Sequence, residues 1–440
     1  MTFRFDKDQK ITGKIMESLK SQLSEINTGS SRPSNFDFGE ISKVGVLGSG
    51  LMGHGIAYVS AFAGMDVIMT DSSQDIANRG LDRINGIIEQ GLKRKALDLE
   101  KKENILNRIE PTDDYNKLNG CDLIIEAVFE NRELKAKVTR KAEKFLKSNG
   151  IFASNTSSIP ISKLAKQSIH PDNFIGIHFF SPVHKMKLVE IINGEKTSEK
   201  TLAKAFDYVL QIGKVPIVVN DSVGFYTSRV FERYTCEGMG LVAEGNSAES
   251  IEMAGVKAGF PVGPLAVVDE INIGLAANIR NQSKINLKTE GKELPSGPWD
   301  RVIDFMVDEV RRTGRAEGAG FYEYPKSKEK YLWPDLNKYF PISKNPLSDD
   351  EIIERYYFSQ AIETIRCYEE NVLRSVAEAN IGSILGWGFP AFKGGTLQFV
   401  NDYGIKDFRI RAEELSNIYG ERFYPPKLLD KMIAKGETFK

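Results

Sequence analysis

The sequence Val44-Gly-Val-Leu-Gly48-Ser-Gly50-Leu-Met-Gly53 is a short apolar run that ends in three glycines with G-x-G-x-x-G spacing. This spacing after a strand-like run is typical of the turn that holds the pyrophosphate of a dinucleotide. The first glycine permits the tight turn, the second lets the backbone approach the phosphates, and the third lets the helix pack on the strand. The N-terminus of the following helix offers unpaired N–H groups to an anion. The pattern therefore predicts a nucleotide-binding strand–turn–helix unit.

An acidic residue stands where such a unit needs one. The next apolar run, Asp66-Val-Ile-Met-Thr-Asp71, ends 23 positions after Gly48. An acid at this point accepts hydrogen bonds from the ribose hydroxyls of NAD. Ser72 and Ser73 follow it, with no arginine to neutralise a 2′-phosphate, so NAD is the predicted cofactor. The alternative is a glycine turn in an ordinary βα unit, with Asp71 a solvated loop residue.

The composition bounds the class of protein. The chain has 440 residues, of which 41% are hydrophobic and 27% charged, which predicts two or three globular domains of a soluble protein. A net charge of −1 gives no field to attract nucleic acid or an anionic membrane. The three cysteines are far apart, which argues against disulfides or a metal site and suits a reducing compartment. With no apolar stretch typical of a signal peptide or a membrane helix, a cytoplasmic location is predicted.

Apolar and charged stretches alternate over the first half of the chain. Strand-like runs lie at 44–47, 67–69, 123–127, 150–153, 174–177, 188–192 and 215–219, with charged helical stretches between them. This order predicts an α/β fold with a Rossmann-like, doubly wound, mainly parallel sheet. Ahead of it, Ile11, Ile15, Leu19, Leu23 and Ile26 have the spacing of an amphipathic helix, followed by a linker over 27–35.

After residue 221 helical periodicity dominates, and the second half is predicted to be all-α. It contains Gly-Phe-Pro twice, at 259 and 388, each ten positions after an acid, which predicts two related helical modules. A coincidence of a common turn tripeptide is the alternative. The predicted domains are an N-terminal helix and linker over 1–40, a nucleotide-binding domain over 41–221, and helical modules over 222–330 and 331–440.

Two stretches near predicted carboxyl ends of strands carry candidate chemistry. Ala153-Ser-Asn-Thr-Ser-Ser158 follows a strand, and its amide and hydroxyl groups, Asn155 and Ser157 among them, suit a nicotinamide or a substrate carbonyl. In the second stretch, His178 ends one strand and Glu190 lies inside the next, between apolar residues. Two adjacent strands joined by a loop bring such residues face to face, so a histidine base oriented by a glutamate is predicted. The other three histidines are predicted to be structural or solvated.

These residues resemble the L-3-hydroxyacyl-CoA dehydrogenase family, and specifically the dehydrogenase half of the multifunctional fatty-acid β-oxidation α-subunit. The matching motifs keep the family order over about residues 43–430: Leu47-Gly-Ser-Gly-Leu-Met-Gly53, Glu126-Ala-Val-Phe-Glu-Asn131, Ser154-Asn-Thr-Ser-Ser158, His178-Phe-Phe-Ser-Pro-Val-His184, Val189-Glu-Ile-Ile192, Val219-Asn-Asp-Ser-Val-Gly-Phe225 and Gly318-Ala-Gly-Phe-Tyr-Glu-Tyr324.

The resemblance implies roles for the candidate residues. His178 is then the base, Glu190 its orienting partner, and Ser157 a donor to the substrate oxygen. Asp71 holds the adenosine ribose, while Glu130 and Lys135 lie along the cofactor with Asn155. The basic run Lys93-Arg94-Lys95 falls where family members meet the phosphates of CoA, although the residues alone suit a solvated helix face equally well.

Two departures from the family pattern stand out. Ser228 occupies the position of a family asparagine that polarises the substrate carbonyl, with Thr227 a candidate to compensate. Only about 40 residues precede the glycine turn, where the multifunctional subunits carry an enoyl-CoA hydratase domain. Hydratase activity is therefore not predicted, and the chain is either a piece of a longer protein or a stand-alone form.

The function predicted from the sequence is NAD-dependent oxidation of an L-3-hydroxyacyl-CoA to a 3-ketoacyl-CoA. The alternatives are a dehydrogenase of another hydroxy acid in the same superfamily, and a low-activity structural or partner-binding relative. A thiolase partner is implied by the resemblance to β-oxidation α-subunits. Both a monomer and a homodimer fit a duplicated helical half.

Overall fold

One sheet follows from the alternating pattern of the first half. The computed structural model describes residues 12–289 and 296–440, and within them eight strands form the sheet in the order β3-β2-β1-β4-β5-β6-β7-β8. Neighbouring strands are parallel except β6 and β7, which pair antiparallel. The predicted Rossmann-like, mainly parallel sheet is confirmed. The strands are β1 Lys43–Leu47, β2 Asp66–Thr70, β3 Ile109–Thr112, β4 Cys121–Glu126, β5 Leu146–Ser154, β6 Phe174–Phe179, β7 Leu188–Asn193 and β8 Val215–Asn220.

Helices connect these strands, and apolar side chains of strands and helices form one core. The helices are α1 Gly13–Asn27, α2 Gly53–Phe62, α3 Gln74–Lys93, α4 Leu99–Asn107, α5 Arg132–Ala142, α6 Ile161–Ala165 and α7 Glu199–Gln211. Ser73, Asp98, Asn131 and Ser198 each accept a backbone N–H at the start of a helix, which fixes where α3, α4, α5 and α7 begin. Val46, Ile125, Ile177 and Ile191 are fully buried. The sheet thus has apolar strands under helical cover, as parallel sheets require.

The predicted amphipathic helix ahead of the sheet is present as α1, which buries Leu19, Leu23 and Ile26. Ile11, which belonged to the same pattern, lies outside the described residues. In the following linker, the Arg32 guanidinium lies 2.6 Å from the Asp207 carboxylate of α7. The linker is therefore tied to the sheet by a largely buried ion pair.

The second half is helical, as predicted, with one exception. Its helices are α8 Thr227–Ala243, α9 Ala248–Lys257, α10 Pro264–Ile271, α11 Ile273–Thr289, α12 Trp299–Asp304, α13 Leu336–Tyr339, α14 Asp349–Glu369, α15 Val376–Trp387, α16 Thr396–Tyr403, α17 Ile405–Tyr419 and α18 Lys427–Lys435. The exception is an antiparallel ribbon of β9 Tyr322–Glu323 and β10 Tyr331–Leu332. The predicted helical half is confirmed, and this ribbon is a small addition that the sequence did not indicate, because strands of two residues are too short to produce an alternating pattern.

The helical half repeats one arrangement. Each Gly-Phe-Pro triplet is followed by an eight-residue helix, α10 or α16, and then by a single residue with positive φ, Asn272 at 81° or Gly404 at 93°. A long helix, α11 or α17, comes next. This common order supports the predicted duplication.

The two triplets also pack on each other. A Cβ built on Gly259 would lie 3.2 Å from Pro390, and one on Gly388 would lie 2.7 Å from Pro261. Glycine is needed at both places because the contact is reciprocal and close.

Close packing divides the chain into two units. Among the described residues, the sheet unit comprises Met16–Ser228 together with Glu370–Trp387, and the helical unit comprises residues 12–15, Arg229–Glu369 and Gly388–Lys440. Helix α15 belongs to the sheet unit because its buried Glu378 accepts the Val218 N–H at 2.8 Å. The four-part division inferred from the sequence stays a prediction.

Candidate active site

The glycine turn between β1 and α2 has the geometry of a pyrophosphate cradle. Gly48 has a φ of 96°, which a side chain would strain. A Cβ on Gly53 would lie 1.7 Å from the carbonyl oxygen of Gly48, so the helix can begin here only on glycine. A Cβ on Gly50 would meet nothing within 4 Å, so this face of the turn is open to a ligand. The residues present therefore fit the diphosphate of a dinucleotide.

This geometry separates the roles of two glycines. Gly53→Ala is expected to distort the turn and to lower the temperature of thermal unfolding. Gly50→Ala is expected to leave that temperature unchanged but to weaken NADH binding about tenfold or more, equivalent to at least about 1.4 kcal/mol. Thermal unfolding and NADH fluorescence titration of both variants check this. If the Gly50→Ala variant binds NADH as tightly as the parent protein, Gly50 is not where the cofactor approaches.

Asp71 follows β2 beside this turn. Its Oδ2 accepts the Ser49 N–H at 2.7 Å and the Ser49 hydroxyl at 2.8 Å, and its Oδ1 accepts the Ser72 N–H at 2.7 Å. Burial alone would raise the pKa of Asp71, but these hydrogen bonds bring it below its usual value. The carboxylate is thus held ionised and oriented, and a carboxylate has further lone pairs that can accept hydrogen bonds.

A buried ion-pair network lies at the end of β4. The Lys135 ammonium is 2.7 Å from Glu126 Oε1 and 3.2 Å from Glu130 Oε2. The side chains of Lys135 and Glu126 are only 2% and 1% exposed. Glu126 also accepts the Ser154 hydroxyl at 2.7 Å and the Val128 N–H at 2.9 Å. The network joins α5, the end of β4 and the end of β5.

Glu130 extends this network to the polar stretch after β5. Its Oε1 accepts hydrogen bonds from the hydroxyls of Thr156 and Ser158, at 2.5 and 2.9 Å, and from the Ser157 N–H at 3.3 Å. Burial tends to raise the pKa of Glu130, but Lys135 and these hydroxyls bring it below its usual value. The loop is therefore fixed by a carboxylate, and the Ser157 residue is exposed on it.

Asn155 connects the same loop to β6. Its side-chain oxygen accepts the Phe179 N–H at 2.8 Å, and its backbone N–H donates to the Glu126 carbonyl at 2.8 Å. Phe179 is the neighbour of His178 in β6. The loop with Ser157 is thus tied to the strand that carries the candidate base.

His178 and Glu190 meet as predicted. The antiparallel register of β6 and β7 pairs these two residues directly, and His178 Nδ1 lies 2.9 Å from Glu190 Oε2. His178 is 5% exposed and Glu190 is fully buried. The imidazole also contacts the rings of Phe180 and Phe225, with centroids 4.6 and 6.1 Å away. This pair is hereafter called the dyad, and its hydrogen bond engages Nδ1 of the imidazole.

The start of α8 completes the surroundings of Glu190. Its Oε1 accepts the backbone N–H groups of Tyr226 and Thr227, at 3.0 and 3.1 Å. Its Oε2 accepts the Thr227 hydroxyl at 2.6 Å. A carboxylate at a helix N-terminus is further stabilised by the helix dipole. The buried charge is therefore satisfied by four donors, including the imidazole.

Thr227 consequently has a different role from the one considered in the sequence. A hydroxyl has one proton to donate, and that of Thr227 is given to Glu190. It does not compensate for the missing family asparagine. Ser228 lies in the first turn of α8 and is half-buried. Of the two hydroxyl residues considered as donors to the substrate, it is the one whose hydroxyl Glu190 does not engage. Before it, Gly224 has a φ of 70°, which glycine adopts freely, whereas Phe225 has a φ of 53°, so the backbone is strained at Phe225.

Sequence reasoning overlooked two residues of this region. Glu126 was noted only as part of a motif, yet it forms an ion pair with Lys135. The pattern that could have revealed it is an acid at the end of an apolar strand, followed by a lysine in the next helix. Asp221 accepts the N–H groups of Ile161 and Ser162, at 2.8 and 2.7 Å, and so fixes the start of α6. The sequence feature that could have revealed Asp221 is its position, as an acid directly after the apolar run of β8.

Other kinds of site are not found in the described ranges. Within residues 12–289 and 296–440 no cluster of three or more His, Cys, Asp or Glu side chains is arranged to hold a metal ion. None of the helices in the same ranges has the length and apolar character to cross a membrane.

Comparisons with known proteins identify the family of the chain. Residues 43–222 match the model of the 3-hydroxyacyl-CoA dehydrogenase NAD-binding domain, and residues 224–324 match that of the 3-hydroxyacyl-CoA dehydrogenase C-terminal domain. The subunit alpha of the fatty acid oxidation complex of Shewanella amazonensis is 36% identical over 408 residues. That match covers 91% of this chain, and the chain spans 56% of the relative's length.

Two solved structures are similar in fold. The (S)-3-hydroxybutyryl-CoA dehydrogenase of Ralstonia eutropha is 34% identical with a TM-score of 0.60, and the match covers 65% of this chain and 100% of the other. The 3-hydroxybutyryl-CoA dehydrogenase of Escherichia coli is 24% identical with a TM-score of 0.77, and the match covers 90% and 99% of the two chains. The domain that holds the glycine turn and the dyad is an NAD-binding domain, and the chain belongs to the 3-hydroxyacyl-CoA dehydrogenase family.

Proposed function

We propose that the protein catalyses the NAD-dependent interconversion of an L-3-hydroxyacyl-CoA and a 3-ketoacyl-CoA. The observation that carries this proposal is the dyad, in which Glu190 Oε2 holds His178 Nδ1 at 2.9 Å. An alcohol can lose hydride only as its hydroxyl proton is taken up, and His178 Nε2 is the group to accept that proton. NAD, when bound, supplies the acceptor of the hydride.

Glu190 acts through His178. Because Nδ1–H donates to the carboxylate, the tautomer is fixed with the lone pair on Nε2. The carboxylate is itself held by Tyr226, Thr227 and the helix terminus, so the imidazole has a rigid support. When Nε2 gains the proton, the adjacent negative charge stabilises the imidazolium. Orientation and charge stabilisation therefore come from one buried residue.

Asp71, Glu130, Lys135 and Asn155 are proposed to position the cofactor. Asp71 accepts the ribose hydroxyls, and the network around Glu130 supports the loop beside the nicotinamide. The exposed Ser157 and the half-buried Ser228 are proposed to donate to the substrate oxygen. Positioning of this kind supplies a large part of the acceleration in two-substrate reactions.

Ser228 gives a prediction of its own. Ser228→Ala is expected to lower kcat by up to about 10²–10³-fold, the usual effect of losing one donor to a developing oxyanion. Ser228→Asn is expected to raise kcat above that of the parent, because the amide reaches farther than the hydroxyl. Steady-state kinetics with acetoacetyl-CoA and NADH measure both variants. If Ser228→Ala turns over as fast as the parent, this side chain does not polarise the carbonyl.

The CoA part of the substrate is proposed from the family and from the basic run at the end of α3, where Lys93, Arg94 and Lys95 are all exposed. A relative named as the alpha subunit of a fatty acid oxidation complex supports assembly with another subunit, and the resemblance to β-oxidation α-subunits implies that this partner is a thiolase. Co-elution of the purified chain with the thiolase of its host on gel filtration tests that partner, and the same column distinguishes a monomer from a homodimer.

The test of the function is oxidation of NADH by acetoacetyl-CoA and by a longer 3-ketoacyl-CoA, with NADPH as the cofactor control. NADH-specific turnover of either thioester supports the proposal. The second candidate function is that of a dehydrogenase of another hydroxy acid. It is favoured by Ser228, which stands where the resemblance leads one to expect an asparagine. It predicts turnover of a sugar acid with NAD and none of the thioesters.

A further inference from the structure

Helix α15 packs against a residue that holds the dyad, although the two are far apart in the chain. The Tyr226 hydroxyl donates to the Ala379 carbonyl of α15 at 2.7 Å, and these residues are 153 positions apart. At the other end of the helix, the Trp387 ring packs edge-on against the Tyr226 ring, with centroids 5.4 Å apart. Tyr226 is fully buried. Helix α15 therefore holds both the hydroxyl and the ring of Tyr226.

Two glycines one turn apart bring α15 close to the start of α8. A Cβ on Gly382 would lie 3.1 Å from a ring carbon of Tyr226 and 2.9 Å from the Ile217 side chain of β8. A Cβ on Gly386 would lie 3.6 Å from the methyl carbon of Thr227. Glycine lowers the stability of a helix interior, so a close neighbour is the physical reason for its presence at Gly382. The contact between α15 and Tyr226 leaves no room for a larger side chain there.

The beginning of α15 is bonded to the edge of the sheet. Glu378 is fully buried, and its carboxylate accepts the Val218 N–H of β8 at 2.8 Å. Just ahead of the helix, the Val372 carbonyl accepts the Asn220 N–H at 2.8 Å. Glu378 is the acid ten positions before the second Gly-Phe-Pro triplet, and its counterpart before the first triplet, Glu249, is exposed. Helix α15 is thus fixed to β8 by contacts that do not involve Tyr226.

The backbone that presents Tyr226 is strained one residue earlier. Phe225 has a φ of 53° and is fully buried. A residue keeps such a conformation only where its surroundings over-determine it, and such residues cluster at functional sites. The turn at Phe225 directs the N–H groups of Tyr226 and Thr227 at Glu190 Oε1, at 3.0 and 3.1 Å. The strained turn therefore needs a support, and the contacts of Tyr226 with α15 supply one.

We propose that α15 positions the dyad: by fixing Tyr226 it fixes the backbone that holds the Glu190 carboxylate, and through that carboxylate the His178 imidazole. Tyr226 and Gly382 are then positioning residues, which act through Glu190. The inference deepens the proposed function and rests on it for the role of the dyad. It gives a helix from the second predicted module, residues 331–440, a part in the chemistry of the sheet unit.

The first test removes only the hydroxyl that α15 holds. Tyr226→Phe is expected to lower kcat with acetoacetyl-CoA by about three- to tenfold, the factor that corresponds to one hydrogen bond. KM for NADH is expected to stay unchanged, because Asp71 and the glycine turn are separate from this contact. Steady-state kinetics measure both constants.

Tyr356→Phe is the matched control for this change. The Tyr356 hydroxyl is also buried, and it donates to the Ile251 carbonyl at 3.0 Å within the helical unit. Both variants are expected to lower the temperature of thermal unfolding by a similar amount, but only Tyr226→Phe is expected to lower kcat. If Tyr226→Phe keeps the parental kcat, or loses no more of it than Tyr356→Phe, the proposal is overturned.

The second test displaces the Tyr226 ring from the side of α15. Gly382→Ala is expected to lower kcat by up to about 10²-fold, the effect of misplacing a reacting group by about 1 Å. Gly86→Ala, inside α3, is the control, because a Cβ on Gly86 would meet nothing within 4 Å. It is expected to keep the parental kcat. A parental kcat in Gly382→Ala contradicts the proposal.

The last measurement needs no turnover. In protein labelled with 15N-histidine, the His178 Nδ1 proton that is held by Glu190 gives a downfield NMR signal, assigned by its loss in His178→Gln. Tyr226→Phe and Gly382→Ala are expected to shift this signal and to speed its exchange with water, and the two control variants to keep it. An unchanged signal in both test variants overturns the proposal. Shifted signals in a protein whose parent form reduces no 3-ketoacyl-CoA would refute the proposed reaction and leave the support of the dyad by α15 standing.

Discussion

Replacing His178 by glutamine is expected to lower turnover by about 10²–10⁴-fold, the usual contribution of a general base. Glutamine keeps a polar side chain of similar size that can donate to Glu190, but it has no nitrogen able to accept the hydroxyl proton. NADH binding is expected to persist, because Asp71 and the glycine turn are separate from the dyad. Steady-state NADH oxidation with acetoacetyl-CoA measures the turnover, and fluorescence titration with NADH measures the binding.

His170→Gln is the matched control, since it makes the same chemical change at an exposed histidine outside the site. Its kcat is expected to equal that of the parent protein. A further experiment adds free imidazole to the His178→Gly variant. The variant is expected to regain part of the lost turnover, because imidazole can occupy the space of the missing side chain. Near-normal turnover of His178→Gln would remove the dyad from the mechanism.

Replacing Lys135 by methionine is expected to destabilise the protein by about 3–5 kcal/mol, because it leaves a buried carboxylate without its partner. Lys135 Nζ lies 2.7 Å from Glu126, and both side chains are buried. The loss also frees Glu130, which holds the loop with Ser157, so the KM for NADH is expected to rise. Urea unfolding and NADH kinetics measure the two consequences.

A second Lys–Glu ion pair of the same length lies at the protein surface and serves as a control. Lys102 Nζ lies 2.7 Å from Glu89, but these side chains are 31% and 50% exposed. Lys102→Met is therefore expected to cost about 0–1 kcal/mol. The double variant Lys135→Met/Glu126→Gln is expected to recover part of the lost stability, because the uncompensated charge is removed. Equal effects of Lys135→Met and Lys102→Met would show that burial does not decide the energy of this pair.

The parts of the fold that follow from local pattern were predictable. Seven of the eight strands of the sheet were recognised as apolar runs. The one missed was β3, Ile-Glu-Pro-Thr, whose acid and proline interrupt any apolar run. Pro111 is tolerated because β3 lies at the edge of the sheet, where one side of the strand needs no hydrogen-bonded neighbour. The two-residue strands of the helical half were missed for lack of length.

The dyad was predictable for a geometric reason. Two adjacent strands joined by a short loop have few possible registers, and residues near their joined ends come together in most of them. Glu190 between apolar residues also needed a hydrogen-bonded partner. The contacts of Thr227 were not predictable, because residues 36 and 37 positions after Glu190 reach it through the path of the chain around β8.

The sequence by itself determined the glycine turn, the acid after β2, the order of strands and helices, and the two residue types of the dyad. Each depends on spacing within one or two elements, where steric limits and periodicity act directly. Only the tertiary structure decided that Thr227 supports Glu190, that Glu126 anchors Lys135, and that Tyr226 lies against α15. Such contacts join elements that are distant in the chain. They depend on where separate backbones come to lie, and the local pattern of residues carries no record of that placement.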